Sequence, residues 1–544
     1  MPIFDLANAK PLEGYKQSPR RGKRTLGEGN TPAFLAGGYG GGTSFAGAKV
    51  GRLLADFVSR SNSADQDLFG ANKLMRARAR ELAESNPHAR KFVWMFKQNV
   101  VGPKGIQMKS KVIGANGNDT AATDKINQRI DEEWKRWCKK GRCTADGKFD
   151  FVQYQQLAAG TVAKEGENLV KYVYGREFND TGFALQPLDN DQLDDTLMTQ
   201  STDGSEIRMG VEVNKYRRPV AYWLWSGHPN DLIATSRERK RVPSAYICHT
   251  AFWERPGQTR GYTWLSASLI PMKNHGGWSE ASLVAARASA AKFGVITEEY
   301  ADGFDGDEDY DGDDTNADGT QVVSANPGEF LQLDPGQKFD YTDPRFPMTS
   351  YKEYSKSMLQ EICSGLLVSY PSLASDLEGV NFSSIRAGLI DERDMWRMVQ
   401  RFFVNDFLEP IRMAWLKMAL LTTLSDITLT PVQMDQVAWN ARGWEWVDPQ
   451  KDAAATILKL GEGLSTYEEE SGKLGYDWQE IALQRKREQE FFDENGIVYG
   501  VDISGDQGGK GVSAGDEKEA AEVSGAKDGT AGGGAKQGNG GKAK

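Results

Sequence analysis

Apolar and polar positions alternate along this chain with a helical period at first. Leu74, Arg78 and Leu82 share one face of a predicted helix, and Asn86-Pro87 supplies an N-cap and a first-turn proline for a second helix that reaches Val100. Gly102-Pro103 ends that helix. Behind Thr123 as a cap, Ile126, Ile130, Trp134 and Trp137 form a third helical stripe, whose aromatics read as core. From Phe149 to Trp225 the pattern changes to a helix followed by strands. Asn168 to Tyr174 is a β-rich run, and Val211–Asn214 and Pro219–Trp225 bracket Lys215–Arg218 as a hairpin, with Pro219 where a strand tolerates proline. Ser266 to Lys292 predicts a long Ala- and Ser-rich helix with Gly276-Gly277 as its weak point. A strand-and-turn stretch follows from Gln321 to Pro347, then a helix from Thr349 to Leu366. Pro371 breaks the chain before another long helix from Ser383 to Leu421. On it Met395, Val399, Phe402, Leu408, Ile411 and Trp415 keep near-helical spacing, with a kink before Pro410.

Composition adds the ends. Residues 1–62 are rich in Gly, Ser and basic residues, and 503–544 hold almost nothing apolar, so both read as disordered arms. At 544 residues, with 10% aromatic and 26% charged, the body between them is globular and long enough for more than one domain. The net charge of −10 is local: Glu298 to Gly319 holds 11 acidic residues and no Lys or Arg, so the remaining charges nearly cancel.

Candidate chemistry is sparse. Cys138, Cys143, Cys248 and Cys363 are too few for a disulfide framework, and the start of the chain does not read as a secretory signal, so folding in a reducing cytosol is expected. No apolar run is long enough to span a membrane. His88, His228, His249 and His275 form no HExxH, and neither a phosphate-binding GxxxxGK[ST] nor a GxSxG is present, so neither enzymatic activity nor a required cofactor is expected. Cys248-His249 would point to opposite faces of a strand, which is wrong for a catalytic dyad. Asp307, Asp309, Asp311 and Asp318 stand at calcium-loop spacing with Gly312 at position six. Asp314 at an apolar position and an Asp in place of the final Glu favour a solvated acidic loop over a Ca²⁺ site. Basic clusters at Arg20–Arg24, at Arg76, Arg78 and Arg80, and at Arg237–Arg241 read as solvated faces or subunit contacts rather than phosphate contacts, because none carries interleaved aromatics.

An ordered set of short motifs then carries a resemblance. Gly210-Val-Glu-Val-Asn214, Arg218-Pro-Val-Ala-Tyr222, Val242-Pro243, Ile247-Cys-His249, Arg255-Pro-Gly-Gln-Thr-Arg-Gly261 and Trp264-Leu265 occur in sequence. Val368-Ser-Tyr-Pro371, Asn381-Phe-Ser-Ser-Ile-Arg386 and Gly443-Trp-Glu-Trp-Val-Asp-Pro449 follow. Together, over about residues 65–490, they resemble the lambda-type portal proteins of tailed bacteriophages.

That resemblance implies an α+β portal fold with a mixed wing at 63–265, stem helices at 266–292 and 349–366, and a clip at 293–348 between them. It further implies a tunnel loop at 367–382, a long helix and wing continuation at 383–440, and a helical crown at 441–502. The acidic insert departs from the family pattern and lands in the clip. The implied function is a homo-oligomeric ring, typically of twelve subunits, at one capsid vertex. Double-stranded DNA is packaged through it by the large terminase subunit and later ejected. The implied partners are that terminase subunit, the major capsid protein, the scaffold and a head-completion adaptor, with assembly in the host cytoplasm and residence in the virion. Channel candidates are Arg287 and Lys292 on the first stem helix, Lys352 and Lys356 one turn apart on the second, and Asp376 and Glu378 in the tunnel loop. The lysines and arginine read either as lumen-facing phosphate contacts or as intersubunit ion pairs with residues such as Glu353. Two other classes stay open: a head-associated enzyme, for which no constellation is assigned, and a calcium-stabilised binding module.

Overall fold

The computed structural model describes residues 61–114, 121–200, 205–232, 238–291, 294–298, 337–341, 351–378, 382–444, 449–476 and 478–496. The chain divides into two units after Ser63, and the second, Ala64–Lys544, holds every element below. The arms read at 1–62 and 503–544 lie almost wholly outside the described residues, as does most of the acidic insert.

The second unit opens with helices α1 (Ala64–Leu68), α2 (Ala71–Ser85) and α3 (Pro87–Val100), a short strand β1 (Gln107–Ser110) and helix α4 (Ala121–Trp137). Asn86 caps α3 as the sequence predicts, its side chain accepting from the His88 and Ala89 amides. Leu74, Arg78 and Leu82 share a face of α2 as read, and that face turns mostly outward; the buried face carries Asn72, Arg76 and Ala79, because carboxylates elsewhere in the fold draw the polar face inward. One expectation is corrected here. Thr123 lies inside the first turn of α4 rather than at its cap, since Ala121 and Ala122 extend the helix upstream.

Helix α5 (Phe151–Glu165) starts at a capping box of Asp150 and Gln153 and ends on left-handed Gly166. It leads into β2 (Glu167–Tyr174) and β3 (Phe183–Leu188). Short strands β4 (Thr199–Gln200), β5 (Glu206–Arg208) and β6 (Val211–Val213) follow, then β7 (Pro219–Trp225), β8 (Arg239–Pro243) and β9 (Ile247–Ala251). β2 is the centre of a three-stranded antiparallel sheet in the order β3-β2-β9, and β4 to β8 form a five-stranded meander. The predicted hairpin is β6–β7, and Asn214 Oδ1 closes its turn by accepting from the Tyr216 and Arg218 amides.

The third part is helical. Helix α6 (Leu269–Ala291) is followed by β10 (Gly294–Glu298), which pairs antiparallel with β11 (Gln337–Tyr341), and by α7 (Tyr351–Leu366). These helices match the stretches read as helical at 266–292 and 349–366. After the break at Leu366 come α8 (Tyr370–Ala374) and α9 (Phe382–Phe403), then α10 (Glu409–Leu421), α11 (Pro431–Met434), β12 (Val437–Asn440), α12 (Pro449–Gly461), α13 (Tyr467–Lys473) and α14 (Trp478–Glu494). β12 pairs with β1, tying the late chain back to the early one.

The kink expected before Pro410 takes a definite form. Residues Val404–Leu408 make a π-turn, with the Glu409 amide bonding the Val404 carbonyl. Proline has no N–H, so the Asp406 carbonyl four residues earlier loses its helical partner. β9 supplies the replacement: Thr250 Oγ1 donates to Asp406 O at 3.1 Å and Cys248 Sγ at 3.4 Å. Cys248 therefore works as a buried donor, on the strand face opposite His249. Thr250→Val should cost about 1 kcal/mol, because it removes one of two donors to a buried carbonyl while keeping the side-chain shape. Urea denaturation of both proteins measures it.

The main core joins α3, α4, α5, α9 and α10. Trp134 and Trp137 sit in it, as predicted, against Phe151 and Trp415. Val399, Leu408 and Ile411 are buried beside them, with Met395 and Phe402 half-buried. A smaller core lies between the two sheets around Leu169, Val211, Val213 and Tyr222.

Candidate functional site

The polar centre of the fold is Glu167, at the first position of β2. Gly166 precedes it at φ 88°, and a side chain there would meet the Tyr262 carbonyl carbon at 2.0 Å. A Cβ on Gly261 would in turn meet the Gly166 oxygen at 2.2 Å. Two glycines thus let two backbones touch, which sets the 259–263 loop directly on Glu167. The Glu167 carboxylate accepts from Arg260 Nε at 3.0 Å, from the Gly261 amide at 3.0 Å, and pairs with His249 Nε2 at 3.1 Å. Arg76 Nη1 stands 3.4 Å away. All four side chains are buried. Burial alone would raise the Glu167 carboxyl, but the Arg260 charge and the bonds from His249 and Arg260 outweigh it and hold the group far below the usual carboxylate range.

The same network explains the longest motif, residues 255–261. Arg255 pairs with Asp67, and Gln258 Oε1 accepts from the amides of Glu254 and Arg255. The Thr259 amide and hydroxyl both donate to buried Asp65, Arg260 meets Glu167, and Gly261 O accepts from Asn72. Helices α1 and α2 are therefore strapped to the sheets mainly by charged contacts. Arg76 also bonds Asp191 at 2.9 Å, and Arg80 bonds Glu165 and Asp189 at 3.0 Å. This corrects the reading of Arg76 and Arg80 as part of a solvated basic face. In the cluster at 237–241, Arg239 pairs with Asp194 and Arg241 with Glu212, while Arg237 lies outside the described residues. Asp189, Asp191 and His228 stand close enough to hold a cation. Arg76 and Arg80 already neutralise those carboxylates, so the cluster is a charge network rather than a vacant metal cage.

The channel candidates gather around α7 and α8. Lys352 pairs with Glu378, and the Lys356 ammonium lies 5.5 Å from the centre of the Tyr370 ring. The Tyr370 hydroxyl donates to Asp376 at 2.9 Å, and the Asp376 carboxylate also accepts from the Glu378 amide. That amide bond first, and the tyrosine bond second, lower the Asp376 carboxyl below its ordinary value. Ser369 donates to Glu392 on α9, and Lys91 on α3 reaches Ser375. Leu367 and Ser375 bracket α8 at positive φ, 59° and 57°, a conformation such residues rarely adopt. The structure thus brings Lys352, Lys356, Asp376 and Glu378 together in one patch. Arg287 is exposed near the end of α6. Lys292 and the calcium candidates Asp307, Asp309, Asp311 and Asp318 lie outside the described residues.

Elsewhere, a cleft of about 690 Å³ opens between α3, α9 and α13, lined by Lys104, Arg393, Trp444 and Tyr476 among others. Its cations lie over its own rings, Lys104 at 4.0 Å from Tyr476 and Arg393 at 6.0 Å from Trp444. Cys143, Cys248 and Cys363 are buried free thiols and Cys138 a half-buried one; burial pushes Cys363 up to about 11. No helix among the described residues is long and apolar enough to cross a membrane.

Buried ion pairs lock the layers together, and the longer helices carry exposed apolar residues such as Ile390 and Met398 on α9. The sequence model for phage portal proteins of the lambda family matches residues 50–400, and the chain belongs to that family. The probable portal protein of Halomonas phage phiHAP-1 is 35% identical over 422 residues, covering 76% of this chain and 79% of that one. Portal protein B of Escherichia phage lambda is 22% identical over 497 residues, covering 83% and 89%. Among solved structures, the neck of an empty gene transfer agent particle computed with C6 symmetry aligns at a TM-score of 0.39 and 15% identity, covering 78% of this chain and 97% of that one. The family is a structural one.

Proposed function

We propose that copies of this chain, twelve in the family's usual arrangement, close into a ring at one capsid vertex and form the channel for double-stranded DNA. Family membership over residues 50–400 is the observation that carries this reading. In it α6 and α7 are the stem, 293–348 the clip, 367–382 the tunnel loop and 441–502 the crown. The large terminase subunit, and later a head-completion adaptor, dock on the clip, and the major capsid protein and scaffold surround the ring. Assembly takes place in the host cytoplasm and the ring stays at the portal vertex of the virion. ATP hydrolysis belongs to the terminase, and the ring itself works as a conduit with no catalytic step and no required cofactor. A duplex has to slide, so the channel needs few and weak phosphate contacts, because each one multiplies affinity and salt dependence.

The patch around Lys352 supplies contacts of that kind. Glu378 holds Lys352, and the Tyr370 ring shields Lys356, so a passing phosphate competes with partners already present. Lys352→Gln with Lys356→Gln should leave ring assembly and thermal midpoint unchanged, since exposed pairs contribute little to folding. The same pair of changes should alter DNA packaging yield or retention in a complementation assay. Rings that fall apart would instead make these lysines intersubunit contacts.

A further inference from the structure

The cleft of about 690 Å³ beside α3, α9 and α13 falls within the ~300–1,000 Å³ usual for binding pockets. Its walls are held by bonds among themselves. Asn99 Oδ1 accepts from both Arg442 Nη1 and Trp444 Nε1 at 3.1 Å, and Gln400 Nε2 donates to the carbonyls of Asn99 and Arg442. Gly102, at φ 74°, leaves the room that Arg442 uses: a Cβ there would lie 2.9 Å from Arg442 Cδ. Lys104, Arg393 and Arg442 line the cleft, and among the described residues its lining holds no Asp or Glu. The cations crowd one another. Arg393 and Arg397 stand 6.0 and 5.7 Å from the centre of the Trp444 ring, and Arg397 also pairs with Asp394. Burial first, and the Arg397 charge second, lower Arg393 below its ordinary value, with Asp452 offsetting part of this. Lys104 is exposed over the Tyr476 ring and has no ion-pair partner among the described residues. Neither the Glu167 network nor the patch around Lys352 uses any of these groups.

We propose that this cleft docks an acidic peptide segment of a partner protein; the inference stands apart from the ring reading. Carboxylates of the segment pair with Lys104 and Arg393, and its apolar side chains lie against Leu389 and Leu474, which also line the cleft. Charge complementarity selects that occupant, because a carboxylate entering a lining of crowded cations relieves their mutual repulsion. The aromatic rings argue against a nucleic-acid strand. Bases are held by stacking on open ring faces, whereas here Trp444 carries Arg393 and Arg397, and Tyr476 carries Lys104. A guanidinium over an indole presents its N–H edge sideways, where a carboxylate accepts two parallel bonds. Arg, Trp and Tyr are also the residue types that carry most of the binding energy at protein interfaces. Walls already fixed through Asn99 and Gln400 keep the ordering cost of docking small.

The test uses the full chain, in whatever assembly it forms, and fluorescence anisotropy of a labelled peptide, Glu-Asp-Tyr-Glu-Asp-Leu. Its amide counterpart, Gln-Asn-Tyr-Gln-Asn-Leu, and a labelled thymidine oligonucleotide run beside it. The acidic peptide should bind saturably and less tightly as salt rises, and the amide peptide at least tenfold more weakly. Lys104→Glu should weaken the acidic peptide at least tenfold while leaving the thermal midpoint unchanged, because Lys104 is exposed. Arg393→Gln should also weaken it, and a photoreactive version of the peptide should cross-link within residues 98–105 or 440–444. Absence of saturable binding, equal binding of the two peptides, unchanged affinity in Lys104→Glu, or cross-links confined to other segments overturns the proposal. So does tighter binding of the oligonucleotide that Lys104→Glu abolishes, a result that makes the cleft a nucleic-acid site. Glu445 and Asp448, outside the described residues, are the chain's own carboxylates next to Trp444 in sequence. If the peptide binds only after Glu445→Gln with Asp448→Asn, the occupant is this chain itself and the partner reading falls.

Discussion

Replacing Glu167 with glutamine is expected to cost the fold about 3–5 kcal/mol, because the shape stays while Arg260 and Arg76 lose the buried charge that neutralises them. The effect has a direction in pH. The carboxyl is held well below its ordinary value of 4.5, so its contribution is fully present above pH 4.5 and is lost as pH falls toward the depressed folded value. Urea denaturation at pH 7 and again below pH 4 should show a large gap between parent and Glu167→Gln at neutrality and a narrower one in acid. Equal stabilities at pH 7 would show that the network is solvated and that α1 and α2 are held by something else.

Trp134→Ala should be comparably damaging, at about 3–5 kcal/mol. The Trp134 ring lies 4.9 Å from Trp415, 5.0 Å from Trp137 and 5.3 Å from Phe151, so its loss opens a cavity where α4, α5 and α10 meet. Trp94→Ala is the control. That ring is exposed, with Lys97 over it, and its removal should change stability by less than about 0.5 kcal/mol. Near-ultraviolet circular dichroism during denaturation separates the two.

Local signals explain what was legible in the sequence. Asn86-Pro87 and the Asn214 turn use chemistry that acts over a few residues, so the α3 start and the β6–β7 hairpin could be placed without a structure. The stripe of Trp134 and Trp137 marked core for the same reason. Arg76 and Arg80 were not legible as buried, because helix arginines belong at the surface unless paired, and their carboxylates lie far along the chain. Arg76 meets Glu167 across 91 residues and Asp191 across 115. One signal was available: Asn72, Arg76 and Ala79 line one side of α2 while Leu74 points away. Pro410 announced a kink, but the rescue of the Asp406 carbonyl by Thr250 and Cys248 needed the fold. The six channel candidates came from resemblance, and the contacts among Lys352, Lys356, Tyr370, Asp376 and Glu378 joined four of them only in three dimensions.

Mass photometry of the purified full chain, with negative-stain images of the same sample, tests the ring most directly. A single closed species of twelve 60.1 kDa subunits, about 720 kDa, with a hole at its centre is the expected result. A monodisperse 60.1 kDa monomer at assembly-competent concentration and salt would contradict it.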